Sequence, residues 1–474
     1  MKDKDVIIKL LKLISVIILY YISGNNNLFL YVLTLSLYNI YVSSFSHITL
    51  KETYKKIKYN YSKLKILKYL EINMSVICLL FIILSIFISD AMNIFLNIEN
   101  TFFPYLIMSL SIITEPLIKV LSEYLESYSK TKLSSNLLNI YNLLEMFILL
   151  IIGIITLRLI KLPTYISISL LYLSKIFSFL IVISIIYKKI KKLNLNLKKT
   201  SEEKQVNYKE ELKVILTNNS QKSIITLIKN SYYYISLIIL YAVLSTRYSY
   251  QIDTIEKDLT FIYLYGIYMM NFLVYFVESF NKNISKKENV INYIYIIFKK
   301  ILTIAIVLGI TSPLISKIVF NDNSNSIYLT MLNFLSIFII LYDITFENTK
   351  SKKIIYISLI MGIICKLILV IPLIDSFYRI GYNLIYGDII STIISMSISI
   401  AINYIYIKIN NQDSRTFEKI LKTLYESILL CIILILTQFI VPIRTDSYVR
   451  ALFTFILYIF ISIMFVKLKK KRRG

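Results

Sequence analysis

The sequence contains few of the side chains on which most enzymes depend. Histidine occurs once, at His47, and the three cysteines, Cys78, Cys365 and Cys431, lie far apart in the chain. Metal centres, redox pairs and disulfide scaffolds all need such ligands at short spacing or in pairs. A GxxxxGK[ST] phosphate loop is also missing, which excludes ATP-driven transport within this polypeptide. These absences predict a protein without a cofactor, a metal site or an enzymatic activity.

Charge is scarce as well, and apolar residues take its place. Only 17% of the 474 residues are charged and 57% are hydrophobic, with a mean hydropathy of +0.68. Soluble domains are about one quarter charged and about half apolar. The composition therefore predicts an all-α polytopic membrane protein, surrounded by membrane phospholipids.

Apolar runs long enough to cross the hydrocarbon core, which takes about 20 helical residues, occur fourteen times. The predicted spans are 6–23, 28–47, 74–96, 102–123, 134–157, 164–187, 223–246, 259–280, 298–319, 327–346, 354–374, 382–407, 421–441 and 446–466. The first is the weakest, because Lys9 and Lys12 leave only 13–23 free of charge. We favour a crossing there over an interfacial helix.

The distribution of lysine and arginine tests this count, since cytoplasmic loops carry the excess of positive charge. With both termini cytoplasmic, the cytoplasmic loops and ends hold 39 of the 53 basic residues and the outer loops hold eight. The net charge of +25 therefore reports orientation in a plasma membrane, and nucleic acid is excluded as a partner.

The order of spans and polar segments suggests four parts. These are a six-helix lobe (1–187), a basic cytoplasmic linker (188–222), a second six-helix lobe (223–407) and two additional helices with a basic tail (408–474). Transporters are commonly built from such repeated halves. The internal similarity is faint: Tyr31 and Asn39 align with Tyr263 and Asn271 at an offset of 232.

Residues 306–420 have a recognisable rhythm, with a lysine midway in the eleventh span, a Leu-Ile pair at its end and glycines opening the twelfth. These residues are Lys366, Leu373, Ile374, Gly381 and Gly387. In this pattern the segment resembles the multidrug/oligosaccharidyl-lipid/polysaccharide (MOP) exporter superfamily, in particular the polysaccharide-biosynthesis, stage V sporulation protein B and lipid II flippase-like branch. The resemblance implies a fourteen-helix exporter, which we expect to act as a monomer. The family's N-terminal opening has an arginine near the cavity; residues 1–30 here contain none, and Lys9 and Lys12 could stand in for it.

Ionised side chains within spans indicate candidate functional residues, because each costs about 2.5–3.5 kcal/mol at the bilayer centre on insertion scales. The substrate-binding candidates are Lys12, Lys119, Lys175, Lys229 and Lys366, and the candidates for coupling to an ion are Glu115, Glu145 and Asp388. For each of them a structural interpretation stands beside the functional one.

Those structural alternatives are ion pairs and snorkelling. Glu115 and Lys119 are four residues apart in the favourable order, beside a helix-weakening Pro116. Lys175 needs a partner on another helix, for which Glu145 is a candidate, and Asp388 is a candidate for Lys366. Lys229 lies near enough to its span end to reach the headgroups.

We expect the chain to flip a lipid-linked oligosaccharide or cell-wall precursor, a polyprenyl-pyrophosphate-linked sugar, to the outer leaflet by alternating access. The lysines would bind its anionic phosphates. A proton or sodium gradient, or the membrane potential, is the expected driving force. The alternatives are a cation-coupled drug exporter of the MATE type, which would rely on carboxylates, and a non-transporting membrane scaffold.

Overall fold

The computed structural model describes most of the chain. The described residues are 2–23, 28–46, 63–96, 98, 100–126, 131–192, 208–248, 252–266, 290–321, 326–411 and 416–471. Every regular element in these ranges is helical.

Sixteen α-helices follow one another within these ranges. They are α1 (Lys2–Ser23), α2 (Phe29–Tyr41), α3 (Lys63–Leu96), α4 (Phe102–Ser111), α5 (Thr114–Glu126), α6 (Thr131–Gly153), α7 (Thr164–Lys192), α8 (Tyr208–Thr246), α9 (Ile252–Thr260), α10 (Val290–Ile310), α11 (Ser312–Phe320), α12 (Ser326–Asn348), α13 (Lys352–Ile380), α14 (Ile385–Asn411), α15 (Thr416–Ile440) and α16 (Tyr448–Lys471). Three π-helical segments, Val42–Ser46, Ile154–Leu159 and Phe261–Gly266, directly follow α2, α6 and α9.

The helices confirm the predicted fold class of a polytopic all-α membrane protein. Among the described residues, seven helical stretches are long and apolar enough to cross a membrane, and α10 and α11 form an eighth, bent by 67°. Five shorter apolar helices occupy the remaining predicted spans, apart from 259–280, of which only the first eight residues are described. Whether α1 crosses the bilayer stays a prediction.

The chain divides into two compact units, residues 3–260 and residues 261–474. In the first unit, α8 packs against α2 and the π-helical segment that follows it. In the second, α14 packs against both α13 and α12. The four-part division made from the sequence stays a prediction.

Glycine explains the close packing of α13 on α14. Gly381 ends α13 with φ at +78°, a backbone conformation that other residues avoid, and its N–H donates to the carbonyl of Tyr378. On α14, a Cβ at Gly387 would lie 2.6 Å from the backbone nitrogen of Ile374. The two glycines of the exporter-like rhythm therefore allow a tight turn and a direct approach of helix backbones.

Candidate functional site

A break in the fourth span positions the first pair of charges. Pro116 lacks an N–H and its ring clashes with the carbonyl four residues earlier, that of Ile112. The helix is interrupted at Ile112 and Ile113, so that α5 restarts at Thr114 and places Glu115 in its first turn. The kink considered from the sequence is thus observed as a break between α4 and α5.

Glu115 lies among three lysines in the first unit. Its Oε1 is 2.8 Å from Lys119 Nζ, one helical turn along α5. The positive charges of Lys12 on α1 and Lys175 on α7 also act on this carboxylate. The Lys119 and Glu115 side chains are 30% and 22% exposed and Lys12 is half-buried, so this cluster is partly exposed.

Lys175 forms a buried ion pair with Glu145, which joins α7 to α6. The Lys175 ammonium donates to Glu145 Oε1 and also lies 4.4 Å from the ring centroid of Tyr38 on α2. The side chains of Lys175 and Glu145 are only 8% and 9% exposed. A buried ammonium paired with a carboxylate and an aromatic face has its charge satisfied inside the protein.

Tyrosine hydroxyls fill much of the polar interior around this pair. Tyr141 on α6 shares a hydrogen bond of 2.9 Å with Thr114, the residue beside Glu115. Tyr172 on α7 donates to Thr34 on α2 over 2.9 Å. These hydroxyls link neighbouring helices by hydrogen bonds, a role that the sequence did not predict.

A second buried pair lies in the second unit. Lys366 Nζ on α13 is 3.0 Å from Asp388 Oδ1 on α14, and the lysine also donates to Thr392 one turn further along α14. Tyr263 donates to Asp388 Oδ2 over 3.2 Å. Thr392 follows Asp388 by four residues, a spacing that puts both on one helix face, and this signal was available in the sequence.

The two buried pairs lie at corresponding places in the predicted lobes. Each joins the last two helices of a predicted six-helix lobe, but the carboxylate precedes the lysine along the chain in the first unit and follows it in the second. In the second unit, Tyr263 contacts Asp388. The alignment of Tyr31 with Tyr263 stays a prediction.

The structure thus brings together four of the five predicted lysines with the three predicted carboxylates, in two separate groups. Lys12, Lys119 and Lys175 lie with Glu115 and Glu145, and Lys366 lies with Asp388. Lys229 is in α8, but its side chain is outside the described residues. Within the described part of the chain, no three His, Cys, Asp or Glu side chains form a group that would hold a metal ion.

Comparison with known proteins identifies the fold. A structure of the lipid II flippase MurJ in an inward closed conformation matches with a TM-score of 0.67 at 14% identity, covering 99% of this chain and 98% of that one. The chain shares its fold with that flippase. The resemblance to the flippase-like branch of the MOP exporters is therefore confirmed as a likeness of fold.

Other comparisons add little to this result. A MOP superfamily transporter from Pyrococcus furiosus matches with a TM-score of 0.49 at 13% identity, over 86% of this chain and 96% of that one. No family model matches the sequence, and no curated protein does so.

Proposed function

We propose that this protein is a flippase that moves a lipid-linked oligosaccharide or cell-wall precursor, with an anionic pyrophosphate, from the cytoplasmic to the outer leaflet by alternating access. The fold shared with a lipid II flippase supports this class of function. The observation that carries the proposal is the basic, partly exposed cluster of Lys12, Lys119 and Lys175 around Glu115.

The charges of this cluster favour an anion. Three lysines face two carboxylates, Glu115 and Glu145, so the group keeps one net positive charge inside an apolar helical bundle. Such an excess is costly in the membrane unless it is solvated or met by an anion. A lysine ammonium binds phosphate oxygens as a point charge with three donors.

The candidate lysines differ in exposure, and this difference suggests a separate role for each. Lys12 and Lys119 are partly exposed and would contact the phosphates directly. Lys175 is nearly buried against Glu145 and would act by holding helices in place. Lys366 has the same relation to Asp388, and Lys229 stays a candidate from the sequence alone.

The pairing of the acids favours this flippase over an exporter of cationic drugs. A site for organic cations needs a carboxylate whose negative charge is not already neutralised by a neighbouring lysine or arginine. Glu115, Glu145 and Asp388 each lie against a lysine instead. If one of them couples transport to protons or sodium, its lysine must first move away, which makes the membrane potential the simpler driving force.

We also propose that both termini lie in the cytoplasm of a plasma-membrane protein, because the basic residues concentrate in the loops of that side. We further propose that the protein works as a monomer. Its partners are the anionic lipid-linked sugar and the surrounding phospholipids, and it performs no covalent chemistry.

Reconstitution tests the proposal directly. Purified protein in liposomes should translocate a labelled polyprenyl-pyrophosphate sugar, and a Lys12→Ala/Lys119→Ala variant should lose about tenfold or more of the rate, the equivalent of about 1.4 kcal/mol. Lys408→Ala is the matched control, because Lys408 is an exposed lysine in the last turn of α14. Equal rates for the wild type and the double variant would show that these two lysines do not bind the substrate.

A further inference from the structure

Glu115 differs from the other two interior carboxylates in its surroundings. Glu145 and Asp388 each have one lysine against them and side chains that are 9% and 3% exposed. Glu115 is 22% exposed, and three lysines from α1, α5 and α7 act on it. It is therefore a partly exposed carboxylate, in contact with Lys119, in a cluster with more positive than negative charge.

The three lysines of this cluster differ in whether they have a carboxylate of their own. Lys175 already has its own carboxylate in Glu145. Lys12 forms no ion pair within the described part of the chain, and Lys119 is paired with Glu115 on its own helix. Glu115 thus supplies the negative charge for two accessible lysines that stand on different helices.

Carboxylate and phosphate oxygens are interchangeable as acceptors for lysine ammonium groups. An anion that enters the cluster must therefore compete with Glu115 for Lys119 and for the field of Lys12. Because the carboxylate is tethered to α5, it competes as an intramolecular ligand, whose effective concentration is on the order of millimolar or higher. Such a competitor weakens the binding of every external anion.

We propose that Glu115 is a built-in anion that occupies the phosphate position of the empty site and is displaced when the pyrophosphate of the substrate binds. This rests on the proposed function and adds a regulator to its site. A transporter must release its cargo, and two lysines in a low-dielectric interior would hold a pyrophosphate tightly. The returning Glu115 carboxylate neutralises Lys119 as the phosphate leaves, and so assists release.

Inorganic pyrophosphate is a suitable probe, because it has the anionic group without sugar or tail. Its binding to the purified full chain in detergent is measured by titration calorimetry. Glu115→Gln, which keeps the size and removes the charge, should tighten binding by about tenfold or more. Adding Lys119→Ala to that variant should reverse the gain.

The control must add the same unit of positive charge elsewhere. Glu426→Gln does so, because Glu426 is a carboxylate of the second unit that is 11% exposed and 2.9 Å from Lys299. It should leave the affinity for pyrophosphate within about twofold of the wild type. An equal gain in Glu426→Gln would overturn the proposal, because net charge alone would then explain the effect.

The outcomes separate this proposal from the proposed function. If Lys12→Ala and Lys119→Ala weaken binding but Glu115→Gln does not tighten it, the phosphate site stands and the built-in anion is wrong. If no lysine substitution affects binding in either background, the phosphate site itself is wrong. Glu115→Asp, which retracts the carboxylate from Lys119, should give an intermediate affinity and serves if the glutamine variant fails to fold.

Discussion

Lys366 Nζ lies 3.0 Å from Asp388 Oδ1, and both side chains are only 3% exposed at the interface of α13 and α14. This interface is tight because Gly387 places the backbone of α14 against that of α13. The pair is therefore preformed inside the second unit. Buried pairs of this kind add little net stability, but splitting one leaves an uncompensated charge.

Splitting this pair should be far more harmful than deleting it. Asp388→Asn alone should destabilise the protein by about 3–5 kcal/mol, because Lys366 keeps a buried charge without its carboxylate. Lys366→Met/Asp388→Leu should recover most of that loss. The midpoint of thermal unfolding in detergent, followed by circular dichroism, measures both effects.

The exposed pair of Asp446 and Arg450, 2.5 Å apart, is the control for this comparison. Asp446→Asn should leave the midpoint nearly unchanged, since its charges are solvated and screened. A double apolar variant as unstable as Asp388→Asn would contradict our account.

The close approach of α14 to α13 predicts a strong effect of a single methyl group. A Cβ at Gly387 would lie 2.6 Å from the nitrogen of Ile374, which is backbone and cannot turn aside. Gly387→Ala should therefore push the helices apart and cost about 1–3 kcal/mol. In Gly309→Ala, where the nearest atom is a side-chain carbon 3.8 Å away, stability should hold or rise. If the two variants have the same unfolding midpoint, α13 and α14 can move apart to accept the added methyl group without a loss of stability.

Glu256 provides a test that depends on pH. It lies in α9, in the segment between the seventh and eighth predicted spans, and Tyr241 donates to its Oε1 over 3.4 Å. Burial, and to a smaller degree the charge of Asp253, raise the pKa of Glu256 from 4.5 to about 7, against the lowering effect of Tyr241. The folded protein thus holds a proton that the unfolded chain releases near pH 4.5.

The sign of the effect follows from proton linkage. Between pH 4.5 and 7 the folded state binds the extra proton, so stability falls as the pH rises through this window and levels off above it. Glu256→Gln should flatten this part of the profile, and Lys257→Gln on the same helix should not. Unfolding midpoints measured at half-unit steps of pH test this, and an unchanged slope in Glu256→Gln would count against the assignment.

Most of the fold was predictable from the sequence for a simple physical reason. A segment that crosses hydrocarbon as a helix is about 20 residues long, so long apolar runs predict the helices. The lysines in the loops predict which side of the membrane each loop faces. The Glu115–Lys119 pair was equally predictable, because both residues are on one helix. Pro116 indicated a disturbance, and the break lies at Ile112, where a proline is expected to clash.

The rest of the site depends on which helices pack together. Lys175 had Glu145 and Lys366 had Asp388 only as candidate partners, because the sequence does not specify rotations of one helix against another. The ring of Tyr38 beneath Lys175 had no sequence signal at all. The effect of the Lys12 charge on Glu115 likewise depends on how α1 is placed relative to α5, which no local pattern encodes.

The burial of Lys175 leads to a final prediction about transport. Because Lys175 and Glu145 are in contact and only 8% and 9% exposed, their charges largely cancel for a ligand at Glu115. Lys175→Met/Glu145→Leu should therefore keep the liposome translocation rate within about threefold of the wild type. Lys175→Met alone should reduce it by about tenfold or more, because Glu145 then stays buried without its lysine and repels the phosphate. If the double variant is as inactive as the single one, Lys175 contacts the substrate directly, and the phosphate site extends from the accessible lysines into the interior.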